Sequence, residues 1–248
     1  MTADIHVASF RNGDHICLFY RNAEEQLATA APFVQVGLLR GERCLCVLPQ
    51  ERVDGLFSRL EASGIDVRKE VSRGALLMAT PEESYLKGGS FDRQQMVKLL
   101  DDGMREALKL GFTGCRGTGD LSWCVSDSNT CGQMPEYEAM LDRYYPGKAA
   151  LGICMYDVNC FDNEQLDRLM EAHRLALTTT SHGKRSIRIR NGGAYGDVIF
   201  DYQSPRLFHY TVQKNDAKEL LNMGQELTLT AAMDAVESAL RALKRASA

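Results

Sequence analysis

Between residue 15 and about residue 180, apolar runs of strand length alternate with amphipathic runs of helix length, and no other feature constrains the fold as tightly. His15 to Tyr20 (HICLFY), Arg43 to Leu48, Ala75 to Ala79, Thr113 to Gly119, Ala149 to Tyr156 and Leu175 to Thr179 read as strands. Between them, Glu24 to Arg40, Glu51 to Ala62, Asp92 to Leu110, Pro135 to Tyr145 and Asn163 to Ala172 place apolar residues at helical spacing, as in Val53, Leu56, Phe57 and Leu60. Pro32 falls inside the first helical run and predicts a kink or a second start there. Strands joined by helices at this spacing imply a parallel sheet with right-handed crossovers and helices on both faces. The expected fold class is therefore α/β, a doubly wound, mainly parallel sheet. Ligands of such sheets collect beyond the carboxyl ends of the strands. That edge corresponds to Tyr20 to Glu24, Ser84 to Phe91, Gly119 to Cys131 and Tyr156 to Phe161.

Beyond residue 180 the texture changes. Ile187 to Arg190, Val198 to Tyr202 and Leu207 to Val212 alternate with period two, separated by the turn signals Asn191-Gly192-Gly193 and Ser204-Pro205. A final helix is expected from about Asp216 to Arg245, with Leu229, Met233, Val236, Leu240 and Leu243 as its apolar stripe. Two domains follow: residues 1–180, and a C-terminal extension, residues 181–248, of β-hairpin strands and a helix. The stripe suits either a homodimer helix or packing on its own domain.

Charge narrows the partners. Lysine and arginine total 29 against 33 acidic residues, a net charge of −4, without the basic surplus that direct nucleic-acid binding usually shows. The basic run His182 to Arg190 reads as a solvated strand or a local binding patch. MTADIHVASF lacks the pattern of a secretory leader, and the longest apolar run, Ala149 to Tyr156, is far shorter than the ~18–20 residues of a membrane span. A cytoplasmic protein with no membrane contact is expected. Its eight cysteines, with no CxxC pair, are expected to be free thiols.

Several motifs are missing. The first strand runs into Tyr20-Arg21-Asn22-Ala23-Glu24-Glu25, without the glycines and lysine that cradle phosphate and with two carboxylates that repel it. ATP is not an expected cofactor. There is no GxSxG elbow and no HExxH, and Gly117-Thr118-Gly119-Asp120-Leu121-Ser122 lacks the third glycine of a dinucleotide fingerprint. The chain is not expected to be an enzyme.

Three features remain. His15, Cys17 and Phe19 share one side of the first strand, because strand side chains alternate. The first two suit a ligand or, with further donors, a transition metal or haem; they equally suit a hydrogen-bonded histidine beside a core cysteine. Arg116, Asp120 and Trp123, the only tryptophan, gather at one strand end with glycines that admit close backbone approach. They suit ligand lining or a core tryptophan with a salt bridge. Tyr156 and Asp157 close the fifth strand, the aspartate in a turn or cap position.

The segments HICLFY, VGLLRGERCLCVLP, RGTGDLSW, EYEAMLDRYYP and ALGICMYD, the last followed by a helix ending at His173, occur in this order. Together they resemble the MEDS domain, the methanogen/methylotroph DcmR-type sensory domain, over roughly residues 8 to 180. The resemblance implies a RecA/KaiC-like three-layer sandwich without its phosphate loop. It also implies an input domain that recognises small organic molecules and works with a histidine kinase or transcription regulator. The family's histidine and cysteine correspond to His15 and Cys17, its acid and tryptophan to Asp120 and Trp123. The expected ligand-binding set is His15, Cys17, Phe19, Arg116, Asp120, Trp123 and Tyr156, and the alternative is a metal, haem or redox sensor using His15 and Cys17. No output module is recognisable, so signalling is expected to pass through protein contact.

Overall fold

The computed structural model describes residues 7–179, 185–200, 208–214, 220–226 and 228–246. The elements run β1 (His15–Tyr20), α1 (Ala23–Leu39), β2 (Arg43–Val47), α2 (Gln50–Ala62), α3 (Val67–Ser72), β3 (Leu76–Ala79), α4 (Arg93–Lys109), β4 (Cys115–Asp120) and α5 (Ser128–Tyr144). They continue with β5 (Ala150–Asp157), α6 (Asn163–Ala172), β6 (Leu175–Thr179), β7 (Arg185–Asn191), β8 (Ala194–Phe200), β9 (Phe208–Lys214), β10 (Leu220–Glu226) and α7 (Leu229–Ala246). No helix among the described residues is long and apolar enough to cross a membrane.

Three expectations change. α1 runs through Pro32 without a second start. A prolyl nitrogen removes a helical hydrogen bond, but Ala30, Ala31, Phe33 and Val34 around it are all buried, and that packing holds the turn. α5 begins at Ser128, well before Pro135, because the Asp127 carboxylate caps it by accepting the N–H groups of Asn129 at 3.3 Å and Thr130 at 3.0 Å. Leu220–Glu226 is a strand rather than the start of the last helix. Gly224 weakens a helix there, and β9 offers an unpaired edge. The helix starts later, where Thr228 Oγ1 accepts the Ala231 N–H at 3.1 Å. Tyr202, Ser204, Pro205, Leu207, Asp216 and the first part of the basic run, including His182, lie outside the described residues.

The described chain forms two compact units. In the first, residues up to 15 and 20–172, four parallel strands follow the order β5-β4-β2-β3. Alternation along β4 assigns the faces. Arg116 points at Phe33 of α1, whereas Gly117 and its register partner Gly152 on β5 lie under the Tyr145 ring that follows α5. Helices therefore cover both faces. Tyr145 reaches this depth because residue 152 is glycine: a β-carbon there would collide with the ring's hydroxyl end, whereas one at Gly117 would make only ordinary contact.

The second unit comprises 16–19 and 173–248. Within it Ile16–Leu18 pair in parallel with Leu175–Leu177 of β6, and β7, β8, β9 and β10 follow as antiparallel neighbours. The described part of the basic run is β7, where Arg188 donates twice to Asp197, at 2.8 and 2.9 Å, and lies over the Tyr195 ring. α7 packs across these antiparallel strands, burying Leu229, Ala232, Val236 and Leu240 on one stripe.

Candidate functional site

Two groups of side chains in the first unit bring polar atoms together. The first lies at the carboxyl ends of the strands, in an open cleft of about 480 Å³ bordered by Tyr20, Arg52, Asp120, Ser122, Trp123 and Asp157. Asp120 is its hub. Oδ2 accepts the Tyr20 hydroxyl and the Gln26 amide, each at 2.7 Å, and Oδ1 accepts the Ser122 N–H at 2.9 Å. Arg52 donates to Gln26 Oε1 at 3.1 Å, which fixes the direction of that amide. Burial, then the Asp120 charge, pushes the Tyr20 phenol well above its ordinary range, so it stays a donor.

Trp123 stacks on Tyr85, with ring centroids 5.4 Å apart, and meets Phe91 edge-on at 5.7 Å. Its indole N–H is buried with no acceptor among the described residues. At the start of α1, where a nucleotide-binding chain would present bare N–H groups, Asn22 accepts the Glu25 N–H and the Glu25 carboxylate accepts the Arg21 N–H, each at 3.0 Å. Glu51, Glu82, Asp120 and Asp157 also border the cleft, opposed by the one arginine Arg52. Anions are disfavoured; neutral or cationic molecules that donate hydrogen bonds are not.

The second group is buried on the α5 face. His15 Nε2 lies 3.1 Å from Glu138 Oε2 and 3.4 Å from Cys154 Sγ, while Nδ1 lies 3.5 Å from Asp142 Oδ1. The Tyr156 hydroxyl donates to the other Glu138 oxygen, and the Tyr145 ring stacks on the imidazole with centroids 5.3 Å apart. Burial lowers the basicity of His15, but hydrogen bonds to Asp142 and Glu138 outweigh it and raise its pKa above the ordinary value. Local geometry assembles the group. Glu138 and Asp142 are one helical turn apart on α5, and Gly152, Cys154 and Tyr156 share one side of β5. A small cavity of about 40 Å³ adjoins it between Tyr85, Tyr137, Tyr145 and Cys154, about the room one water needs.

The residues singled out in the sequence thus separate. Asp120 and Trp123 border the cleft, and His15 and Tyr156 join the buried cluster. Arg116 joins neither. It is buried on the α1 face, its Nε 2.6 Å from Glu42 Oε2 and its Nη1 3.1 Å from the Phe33 carbonyl. Cys17 and Phe19 belong to the second unit, where Cys17 is the register partner of Ala176. The sequence reading passed over Gln26, Arg52, Glu138, Asp142 and Cys154. A signal existed for two of them: carboxylates spaced i, i+4 on a helix that otherwise buries Tyr137 and Leu141.

The family described as MEDS, MEthanogen/methylotroph, DcmR Sensory domain, matches residues 14–174. No curated protein matches the chain. Among solved structures, a KaiC-like protein of the archaeon Pyrococcus horikoshii OT3 is similar at 14% identity and a TM-score of 0.46, covering 77% of this chain and 86% of that one. An uncharacterised Pyrococcus horikoshii protein in complex with an unknown peptide is similar at 12% identity and a TM-score of 0.49, covering 83% and 93%.

Proposed function

The chain belongs to the MEDS family of sensory domains, and on that premise we propose that it is a regulatory sensor whose ligand is a small organic molecule held in the cleft at the carboxyl ends of the strands. The observation that carries this reading is the pairing of an organised acceptor with an unmet donor. Asp120 is held by three hydrogen bonds at the floor of the cleft, and Trp123 borders the same cleft with a buried N–H that has no acceptor among the described residues. A buried donor left unmade costs about 1–3 kcal/mol, and an acceptor on a bound molecule removes that cost. The aromatic stack of Trp123, Tyr85 and Phe91 supplies the apolar wall. The carboxylates around the rim favour neutral or cationic ligands over phosphates.

In this reading the chain is a cytoplasmic, non-catalytic input domain. Binding shifts a conformational equilibrium, and contact with a histidine kinase or transcription regulator carries the signal onward.

The test is thermal denaturation against short-chain alcohols, amines and carboxylic acids. A saturable rise in melting temperature is expected with an alcohol, whose oxygen can accept the indole N–H. A smaller rise is expected with an amine, whose ammonium form has no lone pair for that N–H, and none with the matching carboxylate. A ligand at 100 times its Kd should stabilise by about 2.7 kcal/mol. Asp120→Asn and Trp123→Phe should abolish the rise. Binding that survives both substitutions would remove the cleft from consideration.

A further inference from the structure

We propose that His15, Glu138 and Cys154 bind a divalent transition-metal ion, through His15 Nε2, one oxygen of Glu138 and Cys154 Sγ. The site is separate from the ligand cleft and stands or falls independently of it.

The first argument is spacing. Around a tetrahedral zinc ion, nitrogen, oxygen and sulfur donors at roughly 2.0–2.3 Å lie about 3.3–3.6 Å from one another. His15 Nε2 is 3.1 Å from Glu138 Oε2 and 3.4 Å from Cys154 Sγ, and the donor atoms of all three residues fall within 4.8 Å of one another. Only a small outward movement would admit an ion between them.

The second argument is the shell behind the donors. Metal-binding histidines usually give their other ring N–H to a carboxylate, which fixes tautomer and orientation. Here His15 Nδ1 faces Asp142 at 3.5 Å while Nε2 faces the donor set. Glu138 repeats the arrangement, since the Tyr156 hydroxyl holds Oε1 and Oε2 faces His15. The stacked Tyr145 ring keeps the imidazole plane in place. An ordinary buried ion pair needs one donor opposite one acceptor. It needs neither a thiol as third member nor a separate anchor behind each partner.

The third argument is donor chemistry. Imidazole, carboxylate and thiolate together suit zinc, cobalt or iron(II) rather than calcium or magnesium, which prefer all-oxygen shells. Binding displaces the Cys154 thiol proton and leaves His15 neutral, with no change of oxidation state. The thiol is Cys154 of β5, not the Cys17 that the family resemblance pointed to.

The full chain, stripped with a chelator and titrated with Co²⁺, should develop thiolate-to-cobalt charge-transfer absorption that saturates at one equivalent and is displaced by Zn²⁺. Cys154→Ser should lose that band. Asp142→Asn should keep it but weaken cobalt binding about 10–100-fold, as loss of an outer-shell partner does. If Cys154→Ser does not fold, X-ray absorption of the zinc-loaded parent decides: one sulfur with nitrogen and oxygen neighbours supports the site. No band in the parent, an undiminished band in Cys154→Ser, or a zinc shell without sulfur overturns it.

Discussion

The two faces of β4 and β5 bury charge in opposite ways. On the α1 face, the Arg116 guanidinium meets the Glu42 carboxylate at 2.6 Å, the Phe33 carbonyl at 3.1 Å and the Phe33 ring at 4.5 Å. Each contact points outward from one cation to a different group, two of them on Phe33, and nothing converges on a shared point. On the α5 face, an imidazole, a carboxylate and a thiol aim at a common centre, and a second set of groups steadies two of them from behind. Burial alone therefore does not mark a site. The arrangement that radiates from Arg116 directs its contacts to separate groups and leaves Nη2 buried without an acceptor among the described residues, whereas the converging one brings three donor atoms to one place.

The largest effect should come from breaking the radiating pair. Arg116→Met should destabilise the protein by about 3–5 kcal/mol, because it leaves the Glu42 carboxylate buried without its partner. Adding Glu42→Leu should recover most of that loss. Urea denaturation followed by circular dichroism measures both, and a double variant as unstable as the single one would mean the pair is not a self-contained unit.

A smaller effect is expected on the other face. Gly152→Ala places a β-carbon against the Tyr145 hydroxyl, and overpacking of that kind costs about 1–3 kcal/mol. Combining it with Tyr145→Phe should relieve part of the strain, since the hydroxyl oxygen is the nearest colliding atom but the ring carbon Cζ, at 2.8 Å, remains. Equal losses with and without that hydroxyl would show that the contact is not what limits the fit.

The smallest effect concerns the thiols of β2, of which Cys44 is the register partner of Arg116, and the exposed Cys160. Burial pushes the Cys46 thiol up to about 12 and raises Cys44 as well, whereas Cys160 is exposed. A raised thiol pKa means little thiolate at neutral pH. Burial and Asp157 raise Cys160 too, but it alone of the three is exposed, so iodoacetamide should modify Cys160 first and leave Cys44 and Cys46 intact in the folded chain. Peptide mass mapping reads this out. Cys160→Ala should change stability by no more than about 0.5 kcal/mol. Early labelling at Cys46 would show that the β2 core opens more readily than its packing suggests.

Much of the chain up to residue 179 was legible in the sequence because most of its strands are apolar and its helices amphipathic. HICLFY reads as a buried strand on composition alone, and β1 covers the same six residues. The start of α5 was hidden because Ser128-Asn129-Thr130 looks like a loop; only the Asp127 cap makes it helical. β10 was hidden because Leu220–Glu226 alternates weakly, and its strand character comes from pairing with β9 rather than from its own pattern. Asp120 and Trp123 were visible from their place at a strand end. Cys154 was not, because a thiol inside ALGICMY is indistinguishable from core until α5 brings Glu138 over it. The side chain of Arg116 could not be aimed from sequence, since which face of β4 it takes depends on where α1 packs.

The aromatic ring above the paired glycines Gly117 and Gly152 has a mechanical consequence. Tyr145 sits at the end of α5 like a tooth in a keyway, its hydroxyl occupying the space a side chain would otherwise take. A shift of α5 along the strands would carry that ring off the glycine strip and would move Glu138 and Asp142 with it, so the seating of one ring and the geometry of the buried cluster are tied to the same helix.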